Sequence, residues 1–144
     1  MNGYTLAQLP LTLKLSIPGA GVRTTLDEMK ASENLRQFLN RLNRKAFGKG
    51  CKRRKLEITC VPIYEGSTSV RPHYHLCIDR PDHIALDAFV SAIRAHWSET
   101  HWGYSQVDVQ TCDDVKGWLR YITKPRTKSD YADAIDWTNY QKRC

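Results

Sequence analysis

No stretch of this sequence approaches the ~18 consecutive apolar residues that a membrane-spanning helix needs. No two cysteines have C-x-x-C spacing: Cys51, Cys60, Cys77, Cys112 and Cys144 are scattered and odd in number. That argues against a zinc ribbon or a disulfide framework and leaves reduced thiols, several of them buried. The opening residues, MNGYTLAQLPLTLKLSIPGA, lack a basic start, and Thr12, Lys14 and Ser16 interrupt their apolar run. They do not read as a signal peptide. Repeats and low-complexity segments are missing as well. The chain is therefore expected to be soluble and intracellular, with no membrane partner. Acidic charge is the scarcer sign, 15 Asp and Glu against 22 Lys and Arg, for a net charge of +7. A domain this basic is expected to meet a polyanion, nucleic acid first. With 144 residues and 41% hydrophobic content, one domain with a real core is within reach.

Leu11, Leu13, Leu15 and Ile17 alternate with polar residues, which predicts a half-buried strand over 11–17 stopped by Pro18-Gly19. A helix is expected from about Ser32, with Leu35, Phe38, Leu39 and Leu42 on its buried face and Gly48 and Gly50 at its end. Arg36, Arg41, Arg44 and Lys45 fall off that stripe. Residues 49–55, KGCKRRK, are the densest charge run, read either as a solvated loop or as a phosphate-contacting one. Strands follow at 56–64, with Pro62 marking an edge or bulge, and at 72–79. A helix runs from after Pro81 to about Trp97, and a fourth strand covers 104–110. A last helix, capped by Asp113, carries Val115, Trp118, Leu119 and Ile122 and ends at Pro125. This order predicts an α+β fold of ferredoxin-like type: an antiparallel sheet with helices packed mainly on one face. The other face is left for a site. The main domain is assigned to residues 1–125, with a 126–144 extension packing back through Trp137 and Tyr140.

His73 and His75 are two apart on a strand, so both imidazoles leave one face and can share a divalent ion. Tyr121 and Lys124 are three apart on the last helix, hence neighbours on one face. Alone, Tyr121 also reads as an amphipathic residue at the margin of the Trp118–Ile122 core.

RPHYHLCID followed by WLRYITK resembles the HUH endonucleases, specifically the single-tyrosine replication initiators of rolling-circle plasmids and phages. ENLRQFLNRLNRKAFGKG, with the later HWGY, is most similar to initiators of filamentous phages and related bacterial elements. The resemblance covers residues 11–124. It implies an HUH nuclease fold in which His73 and His75 hold Mn²⁺ or Mg²⁺, with imidazole tilting the preference toward manganese. It also implies an acidic third ligand, for which Glu65, eight residues before His73, is the first candidate. Glu57 and Asp79 are substitutes. Glu65 shares the histidines' face only if it pairs with His73 rather than Pro72. Tyr121 would be the nucleophile and Lys124 its cationic neighbour, giving a 5′-phosphotyrosine link and a free 3′-hydroxyl.

The implied partner is single-stranded or unpaired origin DNA in a bacterial cytoplasm, with a host polymerase and a separate helicase. Arg36, Arg41, Arg44, Lys45, Lys49, Lys52, Arg53 and Arg54 would supply phosphate contacts. Two rivals remain: a single-strand transposase with the same histidine pair and tyrosine, and a non-catalytic module binding single-stranded nucleic acid on the same sandwich.

Overall fold

The computed structural model describes residues 4–16, 23–51, 53–66, 71–112, 114, 116–117 and 135–141. It contains β1 (Tyr4–Pro10), β2 (Lys14–Ser16), β3 (Arg23–Thr25), α1 (Glu28–Phe47), β4 (Cys60–Glu65), β5 (His73–Asp79), α2 (Leu86–Ser98) and β6 (Asp108–Cys112). One sheet has the order β4-β5-β1-β6, every pair antiparallel, and β2 and β3 form a separate hairpin. With that hairpin set aside, the order is βαββαβ, the expected ferredoxin-like α+β fold.

Alternation decides which face is which. Ala7, Leu9, Tyr74, Leu76 and Ile78 point to one side and close against Leu35, Phe38 and Leu39 of α1 and Phe89, Ile93 and Trp97 of α2. Phe38 meets Trp97 edge to face at 5.5 Å between centroids. The Trp97 indole donates to the Pro10 carbonyl at 2.8 Å, which ties α2 to the end of β1. Near that point Gly103 bridges to Leu11. A Cβ on Gly103 would lie 2.0 Å from the Trp97 carbonyl oxygen, so the crossing requires glycine.

Several boundaries depart from expectation. The first sheet strand is Tyr4–Pro10, upstream of the expected 11–17 segment. Its inward positions are Thr5, Ala7 and Leu9, and the first two carry little apolar signal. Leu11 continues that buried set, but Leu13 is 50% exposed, and only Lys14–Ser16 of the leucine-rich stretch is strand, in the hairpin. The first helix begins at Glu28, a turn before Ser32, because Asp27 is the cap: its carboxylate accepts the Lys30 N–H at 2.8 Å. It ends as expected at Gly48, whose φ of 75° suits glycine. Residues 56–59 lead into β4 without joining it, and the last strand starts at Asp108. Of the expected final helix, 116–117 are helical and most of the rest, including Trp118 and Ile122, lies outside the described residues. So does the 125/126 boundary. Cys51, Cys60, Cys77 and Cys112 are free thiols, the first three buried.

Residues 135–141 close the outer edge of β4. Cys60 and Gln141 exchange backbone hydrogen bonds, and the Asp136 N–H donates to the Pro62 carbonyl. The anchors are polar. The Gln141 side-chain carbonyl oxygen accepts from Asn43 at 3.0 Å and Arg36 at 3.5 Å, and its amide donates to the Ile58 carbonyl at 2.8 Å. Asn139 donates to Ser32 and Asp136, and Tyr74 donates its phenol proton to Asp136. Trp137 and Tyr140, by contrast, are 60% and 39% exposed and lie ring to ring. Gln141→Ala orphans a buried carbonyl and a buried amide. It is expected to cost about 2–4 kcal/mol, read as a lower urea midpoint at unchanged slope.

Candidate metal centre

Register answers the question the sequence left open. Glu65 pairs with His73 and Ile63 with His75, so Glu65, His73 and His75 share the face turned away from the helices. On the other side of β5, Pro10 and Gln8 of β1 stand opposite the same two histidines. That face is not bare: Ile63, His73 and Cys77 are at most 6% exposed, whereas Gln8, Asp108 and Gln110 are open to solvent.

Three donor atoms converge there. His73 Nε2 lies 3.0 Å from His75 Nε2, and Glu65 Oε2 lies 3.0 Å from His75 Nε2 and 3.4 Å from His73 Nε2. Donors held ~2.0–2.2 Å from one ion lie about 2.8–3.1 Å apart at right angles and about 3.3–3.6 Å apart at tetrahedral angles. The triangle fits one face of such a shell. Among the described residues this is the group of His, Cys, Asp and Glu side chains able to hold an ion. The set of two imidazoles and one carboxylate suits a divalent first-row metal, manganese ahead of magnesium. Side-chain exposure rises from 8% at His73 and 18% at His75 to 29% at Glu65, so the site opens to solvent on its carboxylate side.

The backbone prepares one ligand. His73 Nδ1–H donates to the Arg71 carbonyl at 2.7 Å, which leaves the lone pair of the neutral ring on Nε2, aimed at the other two donors. Burial, then the neighbouring His73, lowers the pKa of His75 below 6.5, against a smaller opposing pull from Glu65. The unfolded chain therefore takes up a proton near pH 6.5 that the fold resists. Metal-free stability is expected to be highest above that value and to decline as pH falls through it towards the depressed folded value. His75→Gln should flatten this component in a pH series of urea unfolding curves.

The remaining sequence candidates are dispersed. Glu57 is exposed ahead of β4, and Asp79 sits at the far end of β5, about 20 Å from His73 at the usual strand rise. Neither joins the cluster. Arg44, Lys45, Lys49, Arg53 and Arg54 are exposed or half-buried at the surface. Because α1 begins beside the His73 end of the sheet and finishes at the opposite end, where His83 meets the Ala46 carbonyl, the 49–55 loop lies away from the triad. Arg36 donates to the Thr138 carbonyl and to Gln141, and Arg41 pairs with Glu99 at 2.7 Å. Tyr121, Lys124 and Lys52 lie outside the described residues. The anchors on either side of Tyr121 and Lys124 are at opposite edges of the sheet: Cys112 ends β6, and Ile135 bridges to Ile63 of β4. No spacing in the sequence marks Arg71, whose carbonyl orients His73. Its position two residues ahead of the histidine was the available signal.

Fold and site together define a basic α+β sandwich with a candidate divalent-metal centre on its sheet. The family model of the replication-associated protein ORF2 and its relatives matches residues 11–130, and the chain belongs to that family. No curated protein and no solved structure matches it. Membership gives the chain a role in the initiation of replication and makes origin DNA its partner. No helix among the described residues is long and apolar enough to cross a membrane.

Proposed function

We propose that this chain is a single-tyrosine HUH endonuclease that nicks and rejoins one strand of origin DNA to start rolling-circle replication. The convergence of His73, His75 and Glu65 within a replication-associated family is the observation that carries this reading. Tyr121 is the nucleophile. Its phenolic oxygen forms a bond to the scissile phosphorus and loses its proton, while the P–O3′ bond breaks. The products are a 5′-phosphotyrosine and a 3′-hydroxyl that primes a polymerase. The phosphodiester energy stays in the new link, so the strand is rejoined without ATP.

A free phenol has a pKa of about 10 and needs a neighbouring cation to attack at neutral pH, the role assigned to Lys124. Manganese or magnesium held by His73, His75 and Glu65 supplies positive charge against a non-bridging oxygen of the phosphate. Within the chain, the sheet fixes the direction of the three donors and the Arg71 carbonyl fixes the His73 tautomer. Arg44, Lys45, Lys49, Arg53 and Arg54, with Lys52, attract flanking phosphates. Arg41 exchanges its exposed partner Glu99 for phosphate at little cost. Arg36, held by the 135–141 segment, contributes charge more than contact. In-line attack favours single-stranded or unpaired DNA, so strand separation is left to a separate helicase.

The test is direct. Incubated with labelled single-stranded oligonucleotide and Mn²⁺, the protein is expected to form an adduct that survives denaturation. Binding without any adduct would support a non-catalytic module instead.

A further inference from the structure

The 49–55 basic loop is at the wrong end of the sheet to hold the phosphate next to the triad. The loops at the triad's own end hold a different cation. Arg71 is exposed, two residues ahead of His73, and its guanidinium lies over the Tyr104 ring at 4.5 Å from the centroid. One of its N–H groups donates to the Leu11 carbonyl at 3.2 Å. Tyr104 is itself fixed, its backbone N–H donating to the Pro10 carbonyl at 2.9 Å, and Pro10 is the strand partner of His73. A guanidinium held between a ring and a carbonyl has given up most of its side-chain freedom before any ligand arrives. Of its five N–H donors, four remain for an oxyanion.

We propose that Arg71, stacked on Tyr104, is a phosphate-binding residue that receives the backbone of single-stranded DNA beside the metal centre. Arg71 touches the DNA. Tyr104 is a positioning residue that acts through Arg71. The assignment rests on the nuclease reading above, and it goes further by naming where the strand enters. A planar, preorganised fork suits phosphate oxygens better than a mobile ammonium does. The same carbonyl-to-histidine link that orients His73 keeps this fork in register with the metal ligands.

The experiment measures anisotropy of a fluorescent single-stranded oligonucleotide over a salt series, with EDTA present so that no cleavage intervenes. Mn²⁺ affinity is measured separately by calorimetry. Arg71→Gln is expected to weaken binding about tenfold and to reduce the slope of log affinity against log salt by about 0.7, the share of one phosphate. Its Mn²⁺ affinity should match the wild type, because the His73 contact is made by the backbone. Tyr104→Leu should reproduce part of the loss, and Tyr104→Phe, which keeps the ring, should restore it. Wild-type affinity and slope in a folded Arg71→Gln protein would overturn this assignment and leave the nuclease reading standing. Failure of the wild type itself to bind single-stranded DNA would remove that reading.

Discussion

Tyr121→Phe is expected to abolish the covalent protein–DNA adduct while leaving oligonucleotide affinity nearly unchanged. Removing one oxygen takes away the attacking atom but not the charge that holds DNA, so the two readouts separate. The loss in adduct rate should be about 10³-fold or more, since no neighbouring group replaces a covalent nucleophile. The described tyrosines offer few substitutes. Tyr64 and Tyr74 pair across β4 and β5 and pack with the helix-side core. The Tyr74 phenol donates to Asp136, and burial followed by the Asp136 charge pushes its pKa far up. Tyr4 pairs with Asp79, at the far end of β5 from His73. Tyr104 sits at the triad's end and outside that core. If Tyr121→Phe still formed the adduct and Tyr104→Phe did not, the nucleophile would move to Tyr104.

The second large effect belongs to the triad. Glu65→Gln keeps the shape of a partly exposed side chain and removes its charge. Mn²⁺ affinity is expected to fall about 100-fold or more, with adduct formation recovering in part at excess Mn²⁺. His75→Ala should behave alike. His73→Ala adds a stability cost of about 1–3 kcal/mol, because it leaves the Arg71 carbonyl without its donor. Calorimetric titration of the metal-free protein separates affinity from folding. Unchanged Mn²⁺ affinity in both Glu65→Gln and His75→Ala would end the metal assignment.

How much of this was written legibly in the chain differs by element. β5 was readable because Tyr74, Leu76 and Ile78 are apolar at strict alternation, which forces His73 and His75 onto the opposite face. The third ligand was readable as a residue but not as a neighbour: one step of register separates a triad from a stray carboxylate, and register is set by pairing, not by composition. β1 was obscured because its core positions begin with Thr5 and Ala7, while the louder leucine alternation downstream belongs mostly to loop and hairpin. The role of 135–141 was hidden for a related reason. Periodicity draws the eye to Trp137 and Tyr140, yet Asp136, Asn139 and Gln141 do the anchoring through hydrogen bonds that no pattern encodes. The basic loop was conspicuous in sequence, but its distance from the triad follows from the direction of α1.

The closure of β4 by residues 135–141 also fixes an order of events during synthesis. The Ile58 carbonyl meets its side-chain donor only when Gln141, 83 residues later, has been made. At ribosomal speeds of about 5–20 residues per second, that edge waits roughly 4–17 s. Until then the nascent sheet has an unfinished border, and the chain matures from its middle outward, completed by a polar latch that arrives last.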